Sequence, residues 1–214
     1  VFYTTSKEGK KLVKHYVQDF LLMFKDMFLE NVYELISDLE ITTIIQPGMN
    51  IVDTSSLLYE PLIQQLTQKT GITGHLFLTT EDSQTQHVLN HRFEELELEN
   101  IIKIMVLQQK GLAIPSNTID VILNLYSMHE TSSNWVIPEA ARLLKTGGKL
   151  IIADSKKSDN PFINLIAKEL IPHHLTSGII RDELHTSLLA NHFIIAKEWE
   201  TKGIVCYIAM KTEE

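Results

Sequence analysis

The residues best suited to chemistry are few and sit in separate parts of the chain. The phrase NLYSMHE, Asn124 to Glu130, follows an apolar run and ends in polar groups. Asn124, Tyr126, His129 and Glu130 could line a cleft, and His129 could act as general base toward an acceptor hydroxyl or carbon acid, since an imidazole exchanges its proton near neutral pH. The plainer alternative is that these polar groups cap the next segment and His129 packs against it. A second phrase, NIVDTSSLLY from Asn50 to Tyr59, closes an apolar run with Asp53 and continues without a glycine. His87 and His91 stand at helical i and i+4 spacing, and His173 and His174 are adjacent. Spacing fixes no third ligand beside either pair, so they read as surface histidines and no metal site is expected. Cys206, in the apolar run IVCYIA, reads as a small core residue. The sequence holds no phosphate loop, no nucleophile elbow and no His-Glu-x-x-His motif.

Composition narrows the classes that could use these residues. With 214 residues, 44% apolar and 21% charged, the chain suits one compact globular unit with a full hydrophobic core. A formal charge of -8 argues against nucleic acid as a partner, because phosphate affinity comes from clustered Lys and Arg. The single cysteine excludes a disulfide framework and points to a reducing compartment. No apolar run is long enough to cross a bilayer, and the opening VFYTTSKEGKKLVKHY lacks the features of a secretory signal. The expected location is cytoplasmic, with a place beside a membrane complex as the further option.

The elements that must position the candidate residues follow from periodicity. From Leu12 to Leu39 apolar residues recur at helical spacing, which predicts two or three amphipathic helices. Strands are expected at Ile51–Val52, His75–Thr80, Ile101–Gln108, Ile119–Tyr126 and Lys149–Asp154. Between them, helices are expected after Pro61 as far as Gly71, at Thr85–Glu95 and at Trp135–Leu144, where TGG breaks the last one. Strands alternating with helices imply a parallel sheet covered on both faces. Further helices are expected at Pro161–Ile171 and Arg181–Leu189. The runs HFIIAKEWE and GIVCYIAMK are too closely joined for a parallel crossover and should pair antiparallel. The expected fold is therefore α/β: a Rossmann-like, doubly wound, seven-stranded sheet with an antiparallel C-terminal hairpin, preceded by N-terminal helices. Residues 1–44 form the helical segment packing on the core, and residues 45–214 the α/β domain.

Three phrases carry a family resemblance. ARLLKTGGKLIIAD (Ala141–Asp154), IPSNTIDVILNLYSMHE (Ile114–Glu130) and IQPGMNIVD (Ile45–Asp53) resemble, in wording and spacing, the class I S-adenosylmethionine (SAM)-dependent methyltransferases, particularly the ubiquinone and menaquinone biosynthesis branch. Thr146 stands where that family has Pro. The resemblance implies a cofactor cleft at the C-terminal ends of the strands, where the strand order reverses.

The resemblance also implies three cofactor positions, most of them altered here, and a fourth place at the end of the fourth strand. After Asp53 the family has Gly-x-Gly-x-Gly, which turns tightly and lets SAM approach without a Cβ in the way. This chain has Ser55, Leu57 and Tyr59 there. The acid that closes the second strand and holds the ribose falls on Thr80, with Glu81 and Asp82 just beyond; a shift of one residue in the loop would bring Glu81 to the ribose, and the plainer role of the two acids is at a helix start. The adenine position falls on Gln108 or Gln109, whose amide oxygen could accept the same bond. The family's His falls on His129. An acid-to-amide change costs about 1–3 kcal/mol, whereas a bulky side chain inside the ligand volume forbids the pose.

Two functions follow, with a third behind them. The chain is expected to be a methyltransferase-fold pseudoenzyme that binds no cofactor and serves as a structural or regulatory complex subunit. The alternative is an active SAM-dependent methyltransferase acting on a small apolar acceptor such as a quinone precursor. The third is a fold relative holding a different ligand. The N-terminal FLLMFKDMFLENVY is apolar on more than one helical side, which suits cover for an acceptor pocket, as the family's N-terminal helices give, a protein partner or a peripheral membrane contact.

Overall fold

The computed structural model of the protein describes residues 41–55, 60–80, 82–106, 111–125, 127–128, 135–155, 179, 181–201 and 204–213. The helices expected before Ile41 and at Pro161–Ile171 lie outside these residues. Seven strands are present: β1 (Asn50–Asp53), β2 (His75–Thr80), β3 (Ile102–Val106), β4 (Ile119–Leu125), β5 (Leu144–Ser155), β6 (Phe193–Thr201) and β7 (Ile204–Lys211). They form one sheet in the order β3-β2-β1-β4-β5-β7-β6. β1 to β5 pair in parallel, and β7 runs antiparallel between β5 and β6.

Side-chain alternation along the strands builds two cores. Ile51, Val121, Leu123, Ile151, Ala153 and Cys206 face one side, with α1 (Glu60–Thr70) and α2 (Ser83–Glu95) packed over it. Val52, Ile122, Leu150, Ile152, Val205 and Tyr207 face the other, under α3 (Val136–Leu143) and α4 (Arg181–Ala190). Successive strand residues point to opposite faces, so a strand apolar on both sides must be covered on both. Each Ile, Leu or Val buried this way contributes about 1.5–3 kcal/mol. Cys206 is fully buried, as its surroundings predict.

Local chemistry sets the element ends. Asp82 starts α2: its carboxylate accepts the Thr85 amide and hydroxyl, each at 2.7 Å, so the helix begins at Ser83, two residues before the expected Thr85. Asp82 thus takes the capping role, and those two bonds hold its carboxyl below the ordinary range. β3 runs from Ile102 to Val106, and the last part of the expected run, residues 107–108, lies outside the described residues. The TGG turn also differs from expectation. β5 begins at Leu144, paired with Ile119, and pairing resumes between Lys149 and Val121, so residues 145–148 form a long bulge rather than a gap before the strand. Gly147, at φ +78°, supplies the left-handed turn of that bulge.

Candidate functional site

The strand order reverses at β1, whose neighbours are β2 and β4, and in open parallel sheets ligands bind beyond the strand ends at that point. Here the ends of β1 and β4 are joined by a buried polar seam. The Thr54 hydroxyl donates to the Leu123 carbonyl at 3.0 Å, and the Ser127 hydroxyl donates to the Thr54 carbonyl at 3.2 Å. Both hydroxyl oxygens in turn accept from Asn124 Nδ2, at 2.9 and 2.7 Å. Because each hydroxyl proton goes to a carbonyl, the orientation of the Asn124 amide is fixed, and its Oδ1 is a buried acceptor without a hydrogen bond among the described residues. The signal of this seam in the sequence is Asn124 inside the apolar run VILNL, since a polar side chain on a buried strand needs partners.

Asp53 and Ser55 complete the seam. The Ser55 amide donates to Asp53 Oδ1 at 2.9 Å, and the Ser55 hydroxyl oxygen accepts from the Leu125 amide at 2.9 Å. Asp53 is 2% exposed. Burial pushes its carboxyl up to about 6, against the lowering effect of the Ser55 bonds. Among the described residues only Glu97, Asn117 and His192 place a non-glycine at positive φ, so Ser55 has an ordinary backbone. Thr79 donates its hydroxyl to the Asp53 carbonyl at 3.2 Å. Thr80 ends β2 opposite Val106, half-buried on the same rim. The structure thus brings Asp53, Ser55 and Thr80 to one rim, where Asp154 is also fully buried at the end of β5. Glu81, Gln108, His129, Leu57, Tyr59, Tyr126, Glu130, His173 and His174 lie outside the described residues.

A second polar unit pins the loop that leads from β3 to β4. Glu139 of α3 accepts the Leu112 amide at 2.7 Å and pairs with Arg142, which donates to the carbonyls of Leu112 and Ile114 at 3.0 and 2.8 Å. Burial raises the Glu139 carboxyl, and the Arg142 and Leu112 bonds outweigh it and hold the group below its ordinary value. Gly111 is required beside it, since a Cβ there would stand 2.5 Å from Glu139 Oε1 at φ +96°.

Elsewhere, His87 and His91 are exposed on α2, with His91 Nδ1 3.4 Å from Glu95 Oε1. No group of three or more His, Cys, Asp or Glu among the described residues could hold a metal ion. No helix of the described residues is long and apolar enough to cross a membrane.

Comparison with known proteins gives the fold a family context. No family model matches the sequence, and no curated protein does. Solved structures do match. A SAM-dependent methyltransferase from Aquifex aeolicus aligns with a TM-score of 0.63 at 17% identity, over 83% of this chain and 88% of its own. Geranyl diphosphate C-methyltransferase from Streptomyces coelicolor A3(2), solved with Mg2+, geranyl diphosphate and S-adenosyl-L-homocysteine, gives 0.65 at 12% identity, over 82% and 80%. The 4+2 cyclase SpnF gives 0.65 at 14%, over 85% and 82%. At such low identity these likenesses speak for architecture: the chain has the fold of the class I SAM-dependent methyltransferases, and the same fold serves a cyclase.

Proposed function

We propose that this chain is a methyltransferase-fold protein that no longer binds SAM in the family's pose and serves as a structural or regulatory subunit of a larger assembly. The observation that carries this is Ser55. It stands where the family's first glycine leaves room for the cofactor, and its hydroxyl is engaged by the Leu125 amide across the β1–β4 seam. A side chain fixed at a position the family leaves to glycine supports a changed approach for SAM. Leu57 and Tyr59, at the next two glycine positions, add bulk in the same loop. Fold alone does not fix chemistry, so the residues at the site weigh more than the architecture.

The second reading is an active SAM-dependent methyltransferase acting on a small apolar acceptor such as a quinone precursor. It is favoured by the solved methyltransferases that share the fold and by Asp53, an acid kept at the end of β1. In that case Asp53, Ser55, Thr80, Glu81 and Gln108 would hold SAM, and His129 would serve as base. Under the first reading the aromatic and Met-rich stretch between Phe20 and Tyr33 would supply the contact with a protein partner, with a place beside a membrane, in the cytoplasm, as the further option. Purification from the native source tests the subunit role: the reading expects a stable co-purifying protein, and elution as a lone monomer contradicts it. Titration with SAM tests cofactor loss.

A further inference from the structure

We propose that the apolar groove between α1 and α2 is the docking site of this chain's own N-terminal segment, residues 12–29. The groove has a volume of about 200 Å³, far above the ~30 Å³ share of one water molecule. Ile63 and Gln64 of α1, Leu89, Arg92 and Phe93 of α2, and Leu96 and Leu98 just after it line the groove. Its lining is mostly apolar, and Leu96 on its wall is 50% exposed among the described residues.

Three observations choose the occupant. The first is where the chain joins the fold. The helical segment Ile41–Ile44 packs against α1, and Ile41 and Ile45 belong to the same core cluster as Ile63 and Phe93. The forty residues before Ile41 are therefore delivered to the face that carries the groove. From Leu29 to Ile41 the chain reaches about 18 Å as helix and about 40 Å extended, against the ~8–10 Å between neighbouring helix axes.

The second is apolar pattern. Phe20, Phe24 and Met27 recur at i, i+4 and i+7, a stripe of the width a groove between two helices accepts. Leu21, Leu22, Met23, Phe28 and Leu29 lie beyond that stripe, so seating one side leaves apolar surface for a partner. The third is charge. Glu94, Glu95, Glu97 and Glu99 are exposed along the end of α2 and the turn after it. Lys7, Lys10, Lys11 and Lys14, with a single acid among them in Glu8, precede the apolar stretch. A basic end and an apolar body match an acidic rim and a lining that is apolar except for Gln64 and Arg92.

The test uses the full chain carrying Leu96→Cys, labelled with a benzophenone maleimide and irradiated, with isotope-labelled and unlabelled chains mixed. Leu96 is half exposed, so the substitution leaves the core intact, and buried Cys206 stays protected in the folded protein. The expected adducts join position 96 to residues 12–29 of the same chain, persist on dilution, and are lost in a second variant carrying Phe24→Asp. Adducts of mixed isotope mass would assign the groove to a second copy, and adducts to a co-purified protein would assign it to that partner. Either result, or adducts that avoid residues 12–29, overturns the proposal. None of these readouts depends on SAM binding, so failure here is separable from failure of the cofactor-loss reading.

Discussion

The hydroxyl oxygen of Ser55 accepts the backbone amide of Leu125 at 2.9 Å, fastening the end of β1 to the end of β4. Both residues are buried, so the bond has no water to replace it. Ser55→Ala should therefore cost about 1–3 kcal/mol, the penalty for a buried amide left without a partner. Equilibrium denaturant unfolding measures it. Ser55→Gly should cost at least as much, because it also loosens the chain backbone. A loss near zero for both variants would mean the seam is not what holds the strand ends.

Asp53 makes a prediction about pH. Its folded carboxyl titrates near 6 rather than at its ordinary 3.8, so the folded state holds the proton more tightly than the unfolded chain does. The associated stability is present at acid pH and is lost as pH rises through the window from about 4 to 6, on the order of 3 kcal/mol in all. Asp53→Asn keeps an acceptor for the Ser55 amide without the charge. It should match the parent near pH 4 and exceed it at pH 7.5. Parallel pH profiles for the two proteins would rule this out.

Glu139 has the opposite sign. Its carboxyl is held below the ordinary 4.5, so its contribution is present above that value and is lost as pH falls below it. Glu139→Gln should weaken the Leu112 and Arg142 contacts by about 2 kcal/mol, and Gly111→Ala should cost about 2–3 kcal/mol through its strained φ and its collision with the same carboxylate. Since both substitutions act on one contact, the double variant should lose less than the sum of the two. Strict additivity in denaturant unfolding would separate Gly111 from this clamp.

Much of the fold could be read from the chain, and particular residues show why. Strand β2 is legible from His75 to Thr80, because its apolar run is set off by Gly74, where a Cβ would stand 2.5 Å from the Met49 carbonyl. The antiparallel β6–β7 pair followed from the shortness of its connection. The bulge at residues 145–148 was not legible, because it depends on register with Ile119 and Val121, some 25 residues away. The seam was hidden for the same reason. Asn124 looks in sequence like a residue free to line a cleft, yet its amide is committed to Thr54, 70 residues away, and to Ser127. Thr54 and Ser127, ordinary in composition, become buried partners only once β1 and β4 are adjacent.

Bulk in the first loop gives a further prediction. If Leu57 and Tyr59 stand in the cofactor's volume, the variant Leu57→Gly with Tyr59→Gly should gain some thermal response to S-adenosylhomocysteine, and adding Ser55→Gly should increase it. Silence in both variants would place the loss of binding elsewhere, at the ribose or adenine positions Thr80, Glu81 and Gln108.

The central claim is tested most directly by the melting temperature of the unmodified full chain across a titration of SAM and S-adenosylhomocysteine. A ligand that binds only the folded state stabilises it by about 4 kcal/mol at a thousandfold excess over its Kd. The account predicts no shift up to millimolar ligand; a saturable, dose-dependent rise in melting temperature would contradict it.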